Sequence, residues 1–401
     1  MISVSARAKD MPASPIRKLV PYAEEAKRRG IKVFHLNIGQ PDIHSPRQFL
    51  DAYRQHKLSV LEYSHSGGQW AYREGLVRYY RGKGIQVSKE EILVTTGGSE
   101  AIIFAMLATM DAGDEVIIPE PFYTNYNGFA RIAGVKIVPV TCRLDDGFKL
   151  PPIAQIEAKI TEKTRAILIC NPNNPTGYVY SWEELQQVSD LVKKHNLFFL
   201  SDEVYREFVY DDAEHHSVFN LDGIEDRAIL LDSVSKRYSA CGARIGCLIT
   251  RNREVLEATL RFGQARLSSP TLDQMAAQAA LDTPPSYFDE VISEYRRRRD
   301  VVFEALSNIS GVAGLKPQGA FYTIVKLPVD DAEKFCVWML QEFSDQNETV
   351  MLAPARGFYA TPGLGIDEVR IAFVLNAEAM ARSMKLLQTA LEKYPGRKQA
   401  E

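Results

Sequence analysis

The chain is poor in the features that most quickly fix a protein's class. Its five cysteines, at 142, 170, 241, 247 and 336, include no pair with zinc-finger spacing, and an odd count argues against a disulfide framework. No apolar run approaches the length of a membrane span, and the polar N-terminal lead lacks the apolar centre of a signal peptide. There is no basic excess: 48 Lys and Arg stand against 51 Asp and Glu, for a net charge of −3. That balance argues against nucleic acid or an anionic membrane as a partner. No strand-like run is followed by G-x-G-x-x-G, which disfavours a dinucleotide site. Internal repeats and low-complexity segments are lacking too, and no metal is expected. The expectation is a reduced, cytoplasmic protein.

What is present is an ordinary globular composition, 401 residues with 45% hydrophobic and 25% charged, enough for two domains. Short apolar runs at 91–96, 115–118, 136–140, 165–170, 197–201, 228–231 and 246–250 read as strands, with helical patterns between several of them. Nearly continuous apolar strands predict an α/β fold: a mostly parallel seven-stranded sheet covered by helices on both faces. A helical pattern over 272–308, broken at Pro284-Pro285, leads into strands at 320–326 and 369–374 and helices at 332–342 and 377–393. At the other end, Ser14 and Pro15 predict a helix over about 16–29, and a strand at 33–38 runs into Gly39-Gln40-Pro41-Asp42. Residues 1–44 and 282–401 flank the large unit, 45–281, and are expected to join as a smaller α+β domain. The run Arg296 to Arg299 reads as a solvated helix face or an interdomain contact.

Ligands in parallel α/β sheets collect at strand ends, and the candidate residues lie there. Lys236 follows the 228–231 run within Ser233-Val234-Ser235-Lys236, and Arg244 follows, flanked by Gly242 and Gly246. A lysine leaving a packed sheet is desolvated, so its amine titrates lower and becomes a usable nucleophile. Ser233 and the planar fork of Arg244 suit a phosphate. A lysine beside a phosphate site points to a Schiff base with pyridoxal phosphate (PLP); a surface lysine in a loop is the plainer alternative. Gly98-Ser99-Glu100 opens a helix whose free N–H groups offer a second phosphate contact, or a simple tight turn. Asn171-Pro172-Asn173-Asn174-Pro175-Thr176-Gly177 can hold the Asn174 amide in a cleft. Asp202, emerging from an apolar strand, needs a partner such as a pyridinium N–H; a helix cap would also satisfy it. Tyr205 can donate to a phenolate oxygen, and Tyr123 can stack on a flat ring, though core packing suits both. Arg370 suits a bidentate carboxylate clamp, or a surface ion pair with Asp367 or Glu368.

In their order along the chain, N-P-x-N-P-T-G, D-x-x-Y and S-x-S-K with G-x-R-x-G resemble the class I/II aminotransferases. These are PLP enzymes of fold type I, and the likeness is to their aspartate-aminotransferase-like group. It extends from Ser14-Pro15-Ile16 through Asn37-Ile38-Gly39-Gln40-Pro41-Asp42 and Tyr63 to Arg370. The resemblance implies that Lys236 carries PLP and shuttles a proton, that Asp202 pairs with the ring nitrogen, and that Asn174 and Tyr205 bond the ring oxygen. It implies that Tyr123 stacks on the ring, and that Gly98, Ser99, Ser233 and Arg244, with Glu100 in the same loop, form the phosphate site. Tyr63 would reach the phosphate of a neighbouring subunit in a homodimer with shared active sites. Arg370, Asn174 and the Gly39 backbone would hold the substrate α-carboxylate. The reaction would be ping-pong transfer from an L-amino acid to a 2-oxo acid such as 2-oxoglutarate.

Aspartate is the first choice of amino acid, with one departure. One branch of the family carries a lysine where this chain has Ser99, and that lysine helps to hold the substrate's distal carboxylate. Serine cannot supply the charge, so Arg266 or Arg261 is expected to do so, or the enzyme prefers aromatic or aliphatic amino acids. A PLP-dependent β-lyase acting on cysteine conjugates and a non-catalytic sensor are the other readings. The sensor would need a DNA-binding domain, for which the short N-terminal lead has no room.

Overall fold

The computed structural model describes residues 2–55 and 58–398. In chain order the strands are β1 (Lys32–His35), β2 (Ile92–Thr95), β3 (Glu115–Glu120), β4 (Lys136–Thr141), β5 (Thr164–Cys170), β6 (Phe198–Asp202), β7 (Ala228–Ser233), β8 (Gly246–Thr250), β9 (Ala313–Gly314), β10 (Tyr322–Lys326), β11 (Glu348–Met351), β12 (Ala353–Pro354) and β13 (Glu368–Ala372). Seven of them form one sheet in the order β2-β8-β7-β6-β5-β3-β4. Its only antiparallel pairings are those of β8 with β2 and with β7, so six strands run one way. This is the seven-stranded, mostly parallel sheet that the apolar runs predict.

Alternation along each strand divides the core. In β5, Ala166, Leu168 and Cys170 join one buried cluster, while Ile167 and Ile169 join another on the opposite face. Both faces are therefore covered, which is why these strands read as unbroken apolar runs. The first cluster continues beyond the sheet to Phe321, Tyr322, Leu352, Phe373 and Leu387. There β12, β13, β10 and β9 make an antiparallel sheet. The N-terminal β1 pairs in parallel with β11, Lys32 opposite Glu348 and His35 opposite Met351. One residue on, the Leu36 carbonyl accepts from the Ala372 N–H at 2.9 Å. The chain then runs on to Gly39.

One expectation changes and another narrows. The first long helix begins at Val20 rather than near residue 16 and ends at Arg28. A helix begun at Ile16 would bury Pro21 in its interior, where proline lacks the N–H and clashes with the preceding turn; at Val20 it falls in the first turn. Residues 15–19 form turns instead, with the Ser14 carbonyl accepting from Arg17 and Lys18. The Arg296–Arg299 run is not a uniformly solvated face. Arg298 and Arg299 are buried; Arg298 pairs with Asp42 at 2.6 Å, and Arg299 pairs with Asp211 at 2.8 Å.

Candidate active site

The C-terminal ends of the parallel strands open on a cavity of about 300 Å³. Gly39, Gly98, Ser99, Tyr123, Asn174, Asp202, Tyr205, Ser233, Lys236, Arg244 and Arg370 line it. The sheet gathers most of them because they end or follow β2, β3, β5, β6 and β7, five strands of a common direction, while Gly39 follows β1, and β10 and β13 bring Tyr322 and Arg370 from the other side.

Lys236 sits on a single helical turn, Val234–Arg237, started by the Ser233 side chain accepting from the Ser235 N–H at 3.1 Å. Its Nζ donates to the Gly39 carbonyl at 2.7 Å and lies 3.8 Å from Cys241 Sγ. Successive positions on so tight a turn face different ways. Arg237 accordingly leaves the cavity and pairs with Asp232 on the far face of the sheet.

Asp202 ends β6 and is buried. The Tyr126 hydroxyl donates to Oδ2 at 2.7 Å and the Val204 N–H to Oδ1 at 3.4 Å. Among the described residues no cation pairs with it, and burial pushes its pKa up to about 6. Arg370 is the converse, a buried guanidinium with no carboxylate partner among the described residues. Nη1 donates to Asn174 Oδ1 at 3.0 Å and Nη2 to the Asn37 carbonyl at 2.5 Å, while Nε has no partner. The group lies over the rings of Tyr322 and Phe358, 4.5 and 4.9 Å from their centroids, and burial lowers its pKa. The surface-pair alternative for Arg370 is not what forms, since Glu368 instead accepts from the Tyr359 hydroxyl at 2.7 Å.

Between these two charges run hydroxyls. Tyr205 and Tyr322 share a hydrogen bond of 2.9 Å, and Asn174 Nδ2 reaches the Tyr205 oxygen at 3.5 Å. Tyr123 accepts from Asn125 at 2.8 Å, and burial pushes its pKa up to about 12. At the other end, Gly98 and Ser99 begin the helix Gly97–Thr109, their N–H groups free of intrahelical partners. Gly97 has φ of +77°, and a Cβ there would lie 2.4 Å from Arg244 Nη2, so the guanidinium rests against bare backbone. Arg244 Nη1 donates to the Cys241 carbonyl at 3.1 Å.

Several expected residues lie elsewhere. Glu100 is turned away, with Oε2 accepting from the Thr96 N–H at 2.7 Å and Oε1 from Arg266 at 3.2 Å. It caps its own helix and answers an arginine rather than lining the cavity. That bond also holds Arg266, so the cation proposed for a distal carboxylate is already paired; Arg261 is exposed and outside the cavity. Tyr63 is 79% exposed and outside the cavity of its own chain. Sequence reasoning missed Tyr322, Tyr126 and Arg17. Tyr322 and Tyr126 carry only strand and helix signals, and Arg17 lies in what reads as a helix.

Such a site can hold a phosphorylated cationic ring and a carboxylate beside an amine. A family model for aminotransferase class I and II matches residues 31–385. The chain belongs to the class I and II aminotransferase family. This PLP-dependent aminotransferase is 30% identical over 385 residues to an aspartate aminotransferase of Pyrococcus horikoshii, covering 94% of this chain and 95% of the relative. It is 31% identical over 401 residues to aromatic-amino-acid aminotransferase 2 of Thermococcus litoralis, covering 98% and 99%. Among solved structures, the aspartate aminotransferase of Thermus thermophilus with maleate superposes with a TM-score of 0.89 at 27% identity, covering 97% of this chain and all, 100%, of that one. No helix among the described residues is long and apolar enough to cross a membrane.

Proposed function

We propose that this aminotransferase transfers the amino group of an L-amino acid, aspartate first, to 2-oxoglutarate or a similar 2-oxo acid, using PLP at Lys236. The observation that carries the reading is the pair of unanswered buried charges, Asp202 and Arg370, on two sides of one cavity that also holds the Lys236 amine.

The residues fit the cofactor. Asp202 lacks the cation that a protonated ring nitrogen would supply, and that pairing would offset the cost of its burial and bring its pKa back down. The N-terminal N–H groups at Gly98 and Ser99, the Ser233 hydroxyl and Arg244 offer donors to a phosphate. Asn174 and Tyr205 would donate to the ring oxygen, and Tyr123 would lie against the ring. When bound, PLP supplies an electron sink for charge left on the substrate α-carbon. Arg370, held by Asn174 and the Asn37 carbonyl, would orient the α-carboxylate as a planar fork. The Nζ of Lys236, freed from the cofactor by the substrate amine, would take the α-proton as general base and later return it as acid. Closure of residues 1–44 and 282–401 over the 45–281 unit would exclude water from that transfer.

A homodimer with shared sites is part of this reading. Leu58, Val60, Leu61 and Tyr63 are 49, 66, 59 and 79% exposed, a concentration of apolar surface that a partner would cover. The five free cysteines agree with a reducing cytoplasm. The neutral Ser99 and the Thermococcus relative favour a second reading, aromatic amino acids as donors.

The test mixes purified holoenzyme with single amino acids and follows loss of the cofactor's absorbance band. Aspartate or an aromatic amino acid should discharge it, and a 2-oxo acid should restore it. Lys236→Ala should retain bound PLP and lose turnover by several orders of magnitude. Borohydride labelling of any lysine other than Lys236 would overturn the assignment.

A further inference from the structure

We propose that Arg17 is the specificity-determining cation that reads the acidic side chain of a dicarboxylic substrate. The inference rests on the aminotransferase reading of the cavity and adds to it the group that selects the side chain.

Charge is out of balance around the cavity. Four cationic side chains line it, Arg17, Lys236, Arg244 and Arg370, against one carboxylate, Asp202. The proposed chemistry answers three of them. Arg244 takes the phosphate, Arg370 takes the α-carboxylate, and Lys236 takes the cofactor carbonyl. Arg17 is left over. Its side chain is exposed at the cavity mouth and has no hydrogen bond or ion pair among the described residues, so only water answers it, whereas its neighbour Lys18 is paired with Glu333. The other candidates for this role are already used or misplaced: Arg266 is bound to Glu100, Arg261 lies outside the cavity, and Ser99 carries no charge.

Arg17 is also held in position. Just ahead of it the Ile16 carbonyl accepts from Asn37 Nδ2 at 3.2 Å, and two residues beyond it Leu19 is 1% exposed in the main core. Pro15 packs against Gly357 so closely that a Cβ there would lie 2.3 Å from the proline ring. Arg17 therefore stands on a turn anchored on both sides and, although exposed, lines the cavity together with Ile16, Ile38 and Tyr123. Two guanidinium groups lining one cavity, Arg17 and Arg370, suit a substrate with two carboxylates. Arginine matches a carboxylate bidentately, and a second carboxylate entering the cavity without such a partner would be penalised.

The experiment compares Arg17→Met and Arg17→Lys with the wild-type holoenzyme. Half-reaction kcat/KM is measured for aspartate, glutamate, alanine and phenylalanine, and inhibition is measured for succinate and butyrate. Arg17→Met should lower kcat/KM for aspartate and glutamate by about tenfold or more, about 1.4 kcal/mol, and leave alanine within about twofold. It should weaken succinate and spare butyrate, and Arg17→Lys should recover part of both losses. Unchanged aspartate kinetics, equal losses for aspartate and alanine, or a wild type that rejects both dicarboxylic amino acids would each overturn the role of Arg17. In those cases turnover of alanine or phenylalanine leaves the aminotransferase reading standing. Failure of every amino acid to discharge the cofactor would instead overturn that reading, and this inference with it.

Discussion

The Lys236 Nζ donates to the Gly39 carbonyl at 2.7 Å, tying the end of the central sheet to the segment that leaves β1. A Cβ on residue 39 would lie 1.6 Å from the Tyr322 hydroxyl oxygen. Gly39→Ala must therefore push aside either the Tyr322 phenol, which is bonded to Tyr205, or the segment that carries the carbonyl. The expected outcome is a loss of kcat/KM of up to about 100-fold, as misplacement by about 1 Å can cause. Overpacking should lower stability by about 1–3 kcal/mol. Half-reaction rates and denaturant melts measure both. Wild-type rates in the variant would show that this contact has no part in the reaction.

The raised pKa of Asp202 makes a signed prediction for the apo protein. Its folded pKa is about 6 against an ordinary value of 3.8, so between those values the folded state binds the extra proton. Stability from this group is complete below the unfolded value and falls as pH rises through about 6, by about 3 kcal/mol in all. Asp202→Asn removes that dependence. Without PLP the asparagine variant should equal or exceed wild type in stability at pH 7.5, and its advantage should disappear near pH 4. With PLP the order should reverse, because wild type regains a countercharge. Urea melts at the two pH values, with and without PLP, decide it; an apo stability difference independent of pH would contradict it.

Beneath the lysine lies a buried ion network. Asp232 Oδ2 accepts from Tyr80 at 2.6 Å and Arg206 at 3.0 Å and pairs with Arg237; Arg206 also pairs with Glu203 at 2.8 Å, and Arg237 with Glu207 at 3.2 Å. Removing Asp232 leaves two buried arginines with one carboxylate each, Glu203 and Glu207, where three carboxylates had answered them. Asp232→Ala should cost about 3–5 kcal/mol in denaturant melts, far more than removal of an exposed pair such as Arg28 with Glu25. A cost under about 1 kcal/mol would mean that water or relaxation supplies the missing charge.

Legibility followed the range of the interactions. The strand at 246–250 and the helix at 377–393 match the structure to the residue, since the apolar pattern is a local signal. Most of the residues around the cavity were legible as well, because each follows an apolar run. Tyr322 was not, because its role comes from β10 facing β6 across the cavity, a relationship between segments more than a hundred residues apart. Arg237 and Lys236 are neighbours in sequence, and only the single helical turn sends one to the cavity and the other to the network with Asp232. Arg17 was hidden by a misplaced helix start, although Pro21 marked the correct one.

The exposure of Tyr63 leads to the last prediction. A tyrosine 79% exposed, beside three exposed aliphatic side chains and outside its own cavity, has no work to do within one chain. In the proposed dimer it completes the partner's phosphate site. Tyr63→Ala and Lys236→Ala should each have little activity alone, the first through weak phosphate binding and the second through loss of the amine. Mixed dimers rebuild one site, in which the lysine of one chain meets the tyrosine of the other. Equal mixing with free exchange makes half the dimers mixed, each with one intact site of two, so activity should recover to roughly a quarter of wild type. Exchange is verified independently by mass, with one variant isotopically labelled. Exchange without recovery would place Tyr63 outside the reaction, and a Tyr63→Ala protein with full activity would do the same before any mixing.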